Sequence, residues 1–257
     1  MAETRPYYRT VRSFVERENS GWSSWQYMRH TAYAESPQRF VQGYLMIQND
    51  LAHILEYVEA DDRNGLVFGY RVHELLMRTC VEVEANFKAI LKANSFSCKS
   101  RWTMRQYSRV EFSHRLSDYQ VLLPTWRGSM GEFSPFGAWK RKQSLPWYDA
   151  YNASKHDRHK SLAAANIQML VQAIGGLVVL LSAQFDREDY SGSPDVLGLG
   201  GPTVHKWEPA LGGIFRVEHP KNWQDDELYD FDWRDLKALP DPFQKFNYDD
   251  APEVQLK

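Results

Sequence analysis

Cysteine is scarce: the 257 residues hold only Cys80 and Cys98, with no Cys/His cluster around either. That excludes a disulfide framework and leaves a structural zinc site without its closely spaced soft ligands. The stretch from Met1 to Arg17 carries Arg5, Arg9, Arg12 and Arg17 but no apolar run of the kind a secretory signal requires. A reducing, cytoplasmic location is expected. Uninterrupted apolar runs are short as well. The most hydrophobic, Ala173 to Leu181, falls well below the roughly 18 residues of a membrane span, so it predicts a buried core helix and no membrane association. Neither an internal repeat nor a glycine-rich phosphate loop occurs, which removes solenoids and P-loop nucleotide chemistry.

What is present is the composition of a globular protein, with 43% hydrophobic and 25% charged residues. The aromatic share, 14% with nine Trp, is high. Such rings either fill a core or supply a stacking surface for a ligand. Charge is segregated. From Lys99 to Lys160 twelve Lys/Arg face five Asp/Glu, whereas from Asn222 to Lys257 four Lys/Arg face ten Asp/Glu. A basic middle fits an anionic partner, and an acidic end is suited to lie over it.

Helical periodicity dominates residues 36 to 186. Ser36-Pro37 reads as a helix start, and Phe40, Tyr44, Ile47, Leu51, Ile54 and Val58 then recur at alternating spacings of three and four up to about Glu59. Leu76, Cys80, Val83, Phe87 and Ile90 repeat the pattern in a second helix, about 66 to 94, packed on the first as a hairpin. Glu84–Lys88 and Arg78–Glu82 are spaced for i,i+4 ion pairs on its flank. Thr103 heads a short helix, Tyr119 to Leu123 and Ile214 to Glu218 read as short strands, and a third long-period element begins at Pro146. The last helix, about 161 to 185, is apolar nearly all round and contains Gly175-Gly176, which implies close approach of a neighbouring backbone. The expected fold is all-α: a helical bundle at 36–186 with minor strands, preceded by a segment at 1–35. An irregular, acidic extension at 187–257 packs on that domain.

One segment carries candidate chemistry: Leu145-Pro-Trp-Tyr-Asp-Ala-Tyr-Asn-Ala-Ser-Lys-His-Asp-Arg158. On a helix, Asp149, Asn152, His156 and His159 fall at i, i+3, i+7 and i+10, on one face. Trp147, Tyr151, Ser154 and Arg158 form the adjacent stripe, and Tyr148 and Lys155 border the first. Three readings stay open. Asn152 and His156 are buried polar residues bonded to backbone; or Asp149, His156 and His159 hold a divalent metal; or Asn152, Lys155 and His156 contact a phosphodiester, with His156 as general acid or base. The third assigns catalysis to Asn152, Lys155 and His156 and substrate contacts to Trp147, Tyr151, Arg158 and His159, with no metal and no cofactor. An Arg-x4-His spacing also occurs at Arg109 to His114.

A helical hairpin followed by a polar-motif helix and an apolar helix resembles the HEPN superfamily, whose motif is Arg, a polar residue, a short spacer and His. Tyr151-Asn152-Ala-Ser-Lys-His156 is similar, with Asn152 at the polar position, His156 at the histidine and Tyr151 where the arginine stands. The run Trp147-Tyr148-x-x-Tyr151-Asn152-x-x-Lys155-His156-Asp157-Arg158 also resembles one in uncharacterised bacterial proteins, over about residues 66 to 186. The HEPN resemblance implies a metal-independent endoribonuclease of a bacterial toxin–antitoxin or antiphage defence system. It also implies a homodimer, RNA as substrate and an antitoxin or defence-system protein as partner. Trp102, Tyr107, Trp126, Trp139 and Trp147 are candidates for stacking unpaired bases. The rival class is a non-catalytic helical interaction or scaffold module in which the YNxxKH motif is structural.

Overall fold

A computed structural model describes residues 2–16, 25–98, 101–190 and 206–254. About half of the described residues are helical. The first long helix, α1 (Pro37–Leu55), buries Tyr44, Ile47 and Leu51 of the stripe read from its spacing; Phe40 and Ile54 are half-buried, Val41 is buried in addition, and Val58 lies beyond the helix end. Ser36 does not cap it through its side chain; it adopts a left-handed φ of 47° and only its carbonyl is used, by Arg39 N–H. The second, α2 (Tyr70–Ala93), begins four residues later than its apolar pattern. Leu66 instead lies in a turn and Val67 and Phe68 follow it, all three exposed, with Phe68 bridged to Asn166. Glu84 meets Lys88 at 3.6 Å as its spacing predicts, but Arg78 turns away from Glu82 to pair with Asp50 on α1.

After the short helices α3 (Met104–Tyr107) and α4 (Glu111–His114) come strands β1 (Gln120–Leu122) and β2 (Glu132–Phe133). Helix α5 (Pro146–His156) follows, then a single turn, α6 (Arg158–Ser161), and the apolar helix α7 (Ile167–Phe185). Asn166 caps α7 by accepting from Met169 N–H, which moves its start six residues past the sequence-based one. Among the described residues α7 alone is long and apolar enough to cross a membrane, and that stretch is 83% buried inside the molecule. It packs on α1, α2 and α5.

The all-α expectation needs amendment, because a four-stranded antiparallel sheet is part of the fold. Strands β3 (Glu208–Pro209) and β4 (Arg216–Glu218) arrive from the C-terminal extension and give the order β2-β1-β4-β3, with Val121 opposite both Phe133 and Val217. A final helical turn is α8 (Trp233–Leu236). Strands of two or three residues carry too little periodicity to announce a sheet, and the pairing that joins its halves, β1 with β4, spans about a hundred residues.

Gly175 and Gly176 join sheet and helices. A Cβ on Gly175 would lie 2.5 Å from the Phe133 ring, and one on Gly176 would lie 3.2 Å from Trp147. The close approach is therefore by aromatic side chains, not by backbone. The extension is anchored by buried Tyr229, Phe243 and Tyr248, and it bridges the N-terminal segment at Glu3–Tyr229 and Tyr7–Gln244. It also covers part of the basic middle: Arg105 and Arg109 pair with Glu253, and Arg115 with Glu227.

Candidate functional site

Helix α5 is fixed from its first turn. Pro146 suits the opening position, where no N–H partner is needed, and Leu145 carbonyl accepts from Tyr148 N–H and Asp149 N–H. Trp147 is fully buried over Gly176, and its indole N–H donates 2.9 Å to the Pro135 carbonyl. Its assignment to substrate contact is thereby corrected: a tryptophan with no accessible face cannot stack a base. It sets the rotation of α5 about its axis.

That rotation turns Tyr148, Asn152 and His156 outward at spacings of four, along one wall of a cleft of about 620 Å3. Lys155 joins them, α2 contributes Glu84 and Lys88, and the segment entering α3 contributes Arg101, Trp102 and Arg105. His156, Lys155 and Arg101 are exposed and Asn152 is half-buried. Neither Asn152 nor His156 is the buried, backbone-bonded residue of the first reading. Of its four cations, Lys88 pairs with Glu84 and Arg105 with Glu253, so among the described residues Arg101 and Lys155 supply the positive charge that no carboxylate offsets. Both carboxylates that line the cleft are engaged, Glu84 by Tyr148 hydroxyl at 3.0 Å and Asp149 by Ser144 hydroxyl.

Tyr151, where the resemblance asks for arginine, is buried. Its ring lies 4.9 Å from the Lys155 ammonium, which donates 3.0 Å to its hydroxyl. That bond raises the Lys155 pKa and keeps it charged, while burial raises that of Tyr151. Lys155 thus holds a positive charge against the Tyr151 hydroxyl.

The expected single face does not continue past His156. Asp157 leaves the helical conformation (φ −141°, ψ 76°) and its carboxylate accepts from Lys160 N–H, opening α6 as a separate turn. Arg158 then lies over the Tyr70 ring at 5.7 Å, and neither Arg158 nor His159 lines the cleft. Both stand exposed on the turn that follows α5. The same break separates His159 from Asp149 and His156, and the described residues contain no group of three or more His, Cys, Asp or Glu able to hold a metal.

The Arg109-x4-His114 spacing is structural. Arg109 donates to the carbonyls of Tyr248 and Ala251, at 2.7 and 2.6 Å, and so ties down the C-terminal extension. His114 is fully buried, with Nε2 2.8 Å from the Arg9 carbonyl. Only a protonated nitrogen can face a carbonyl, so Nδ1 is left to accept from Ser113 hydroxyl at 2.6 Å. Burial pushes the His114 pKa down to about 3 and holds the ring neutral.

Comparison of the chain with protein-family models, with curated proteins and with solved structures finds no match. The site's own geometry therefore carries the functional reading. Sequence reasoning picked out the α5 residues but missed Glu84, Lys88, Arg101 and Arg105 as their companions. Glu84 and Lys88 stood out only as an ion pair on the flank of α2. Knowing which helix that flank faces was the missing step.

Proposed function

We propose that the chain is a HEPN-like, RNA-directed protein that acts on a phosphodiester in the cleft along α5. The observation that carries this is the placement of an exposed His156 and a half-buried Asn152 in a cleft with the Arg101 and Lys155 cations. Cations without a metal cluster suit a polyanion. An imidazole beside them suits proton transfer near neutral pH. In the mechanism His156 takes the proton from the ribose 2′-hydroxyl as that oxygen attacks the adjacent phosphorus. Lys155 and Arg101 neutralise the charge that grows on the phosphate oxygens, and Asn152 holds the phosphate or the imidazole by hydrogen bonding. The P–O5′ bond breaks and the leaving 5′-oxygen takes up a proton from solvent, so the products are a 2′,3′-cyclic phosphate and a free 5′-hydroxyl. Such an activity fits a cytoplasmic endoribonuclease of a bacterial toxin or antiphage system, working as a homodimer with an antitoxin or defence partner.

One observation favours a second reading, binding without cleavage: Tyr151 replaces the family's arginine and holds Lys155. Tyr151→Arg separates the two. It restores a guanidinium beside His156 and releases Lys155, so cleavage of single-stranded RNA in the presence of a chelator is expected to rise by about tenfold or more. A folded Tyr151→Arg protein that is as inert as the wild type, yet still binds RNA, leaves the binding-only reading.

A further inference from the structure

Three aromatic rings lie nearly parallel between α2 and the cleft. Phe87 is fully buried on α2, and Tyr107 on α3 stacks on it with centroids 5.3 Å apart and planes at 7°. Trp102 stacks in turn on Tyr107 at 6.0 Å and 16°. Trp102 is the half-buried end of this column, and the part of it left uncovered lines the cleft that holds His156. The other aromatic candidates are withdrawn from solvent: Tyr107 and Trp147 are fully buried, and Trp126 and Trp139 are nearly so.

The ring is held from several sides. Phe96 meets it edge to face at 6.0 Å and is itself covered by the Arg109 guanidinium at 5.4 Å, which the C-terminal extension fixes. Immediately after Trp102, Thr103 and Gln106 form a capping box that sets the course of the backbone into α3. A flat ring already immobilised gives up little entropy when a second flat group lies on it. Arg101 and Arg105 flank it in sequence, and Lys88 lies 5.9 Å from the ring of Tyr107 beneath it.

Building on the phosphodiester site proposed above, we infer that Trp102 is a platform on which an unpaired base of single-stranded RNA stacks while its phosphate reaches the cations beside His156. Stacking on one face reads no base edge, so the platform takes any of the four bases but rejects a duplex, whose bases are covered by their neighbours. The site therefore selects single-stranded over double-stranded RNA without a strong sequence preference.

Two non-cleavable probes of equal length test this on the full chain: a single-stranded 2′-O-methyl RNA, and the same backbone without bases. The wild type is expected to bind the base-bearing probe more tightly. Trp102→Ala should weaken that binding about tenfold and leave the abasic probe unchanged, with Trp102→Phe in between. Equal wild-type affinity for the two probes overturns the platform while leaving the phosphodiester site standing, and needs no variant to fold. Equal loss of both probes in Trp102→Ala, or no loss in either, also overturns it. A wild type that binds neither probe removes the phosphodiester reading and the platform with it.

Discussion

His156→Ala is expected to lower RNA cleavage by about 10²- to 10⁴-fold, the range over which a positioned acid–base group contributes. The melting temperature should hardly move. His156 is exposed at the C-terminal end of α5, and among the described residues its imidazole has no hydrogen bond or ion pair whose loss would cost stability. Substitutions at such positions stay within about 0.5 kcal/mol. His114 differs: it is enclosed between the Arg9 carbonyl and Ser113 hydroxyl, so its loss would leave both without their partner. Cleavage assays paired with thermal unfolding check the expectation. Unchanged cleavage would remove His156 from the mechanism, and a marked loss of stability would make it a structural residue.

Trp147→Ala should have the largest effect on stability, about 3 to 5 kcal/mol. The indole fills the space above Gly176, meets Phe136 edge to face at 5.9 Å and satisfies the Pro135 carbonyl. Truncation leaves a cavity in which α7, α5 and the loop after β2 all lose a partner, and an acceptor without its donor. For a chain of this size the melting temperature falls by about 10 °C. Trp147→Phe should cost less, since most of the ring volume stays and only the indole bond goes. Thermal or denaturant unfolding measures both. A stable Trp147→Ala protein with selectively weakened RNA binding would reinstate the substrate role that its burial argues against.

The long helices were legible because each buries one stripe, and a stripe leaves a period. Tyr44, Ile47 and Leu51 on α1 and Leu76, Cys80, Val83, Phe87 and Ile90 on α2 are buried where their spacing put them. Helix ends were less legible, because ends depend on single residues. Asn166 sets the start of α7 against an apolar pattern that begins earlier, and Asp157 ends α5 within a polar face whose spacing runs on to His159. The break at Asp157 mattered most for the site, since it detached Arg158 and His159 from the cleft. The sheet was illegible as a sheet because its strands are short and one half comes from the C-terminal extension. The candidate site was half visible. Asn152, Lys155 and His156 share a helix and so share a sequence signal, whereas Lys88 and Arg105 join them only through packing of α2 and α3.

The central claim is that the cleft along α5 uses a neighbouring ribose hydroxyl to break an RNA backbone. The most direct measurement uses a single-stranded RNA cut by the full-length wild type in chelator, compared with the same strand carrying a 2′-deoxy nucleotide at the cut position. The expected result is scission of the first strand to a 2′,3′-cyclic phosphate end, and no scission at the deoxy position although the strand still binds. Cutting at the deoxy position would mean that water, not the 2′-hydroxyl, attacks the phosphorus, and would contradict the mechanism. Binding of neither strand would contradict the assignment of the cleft.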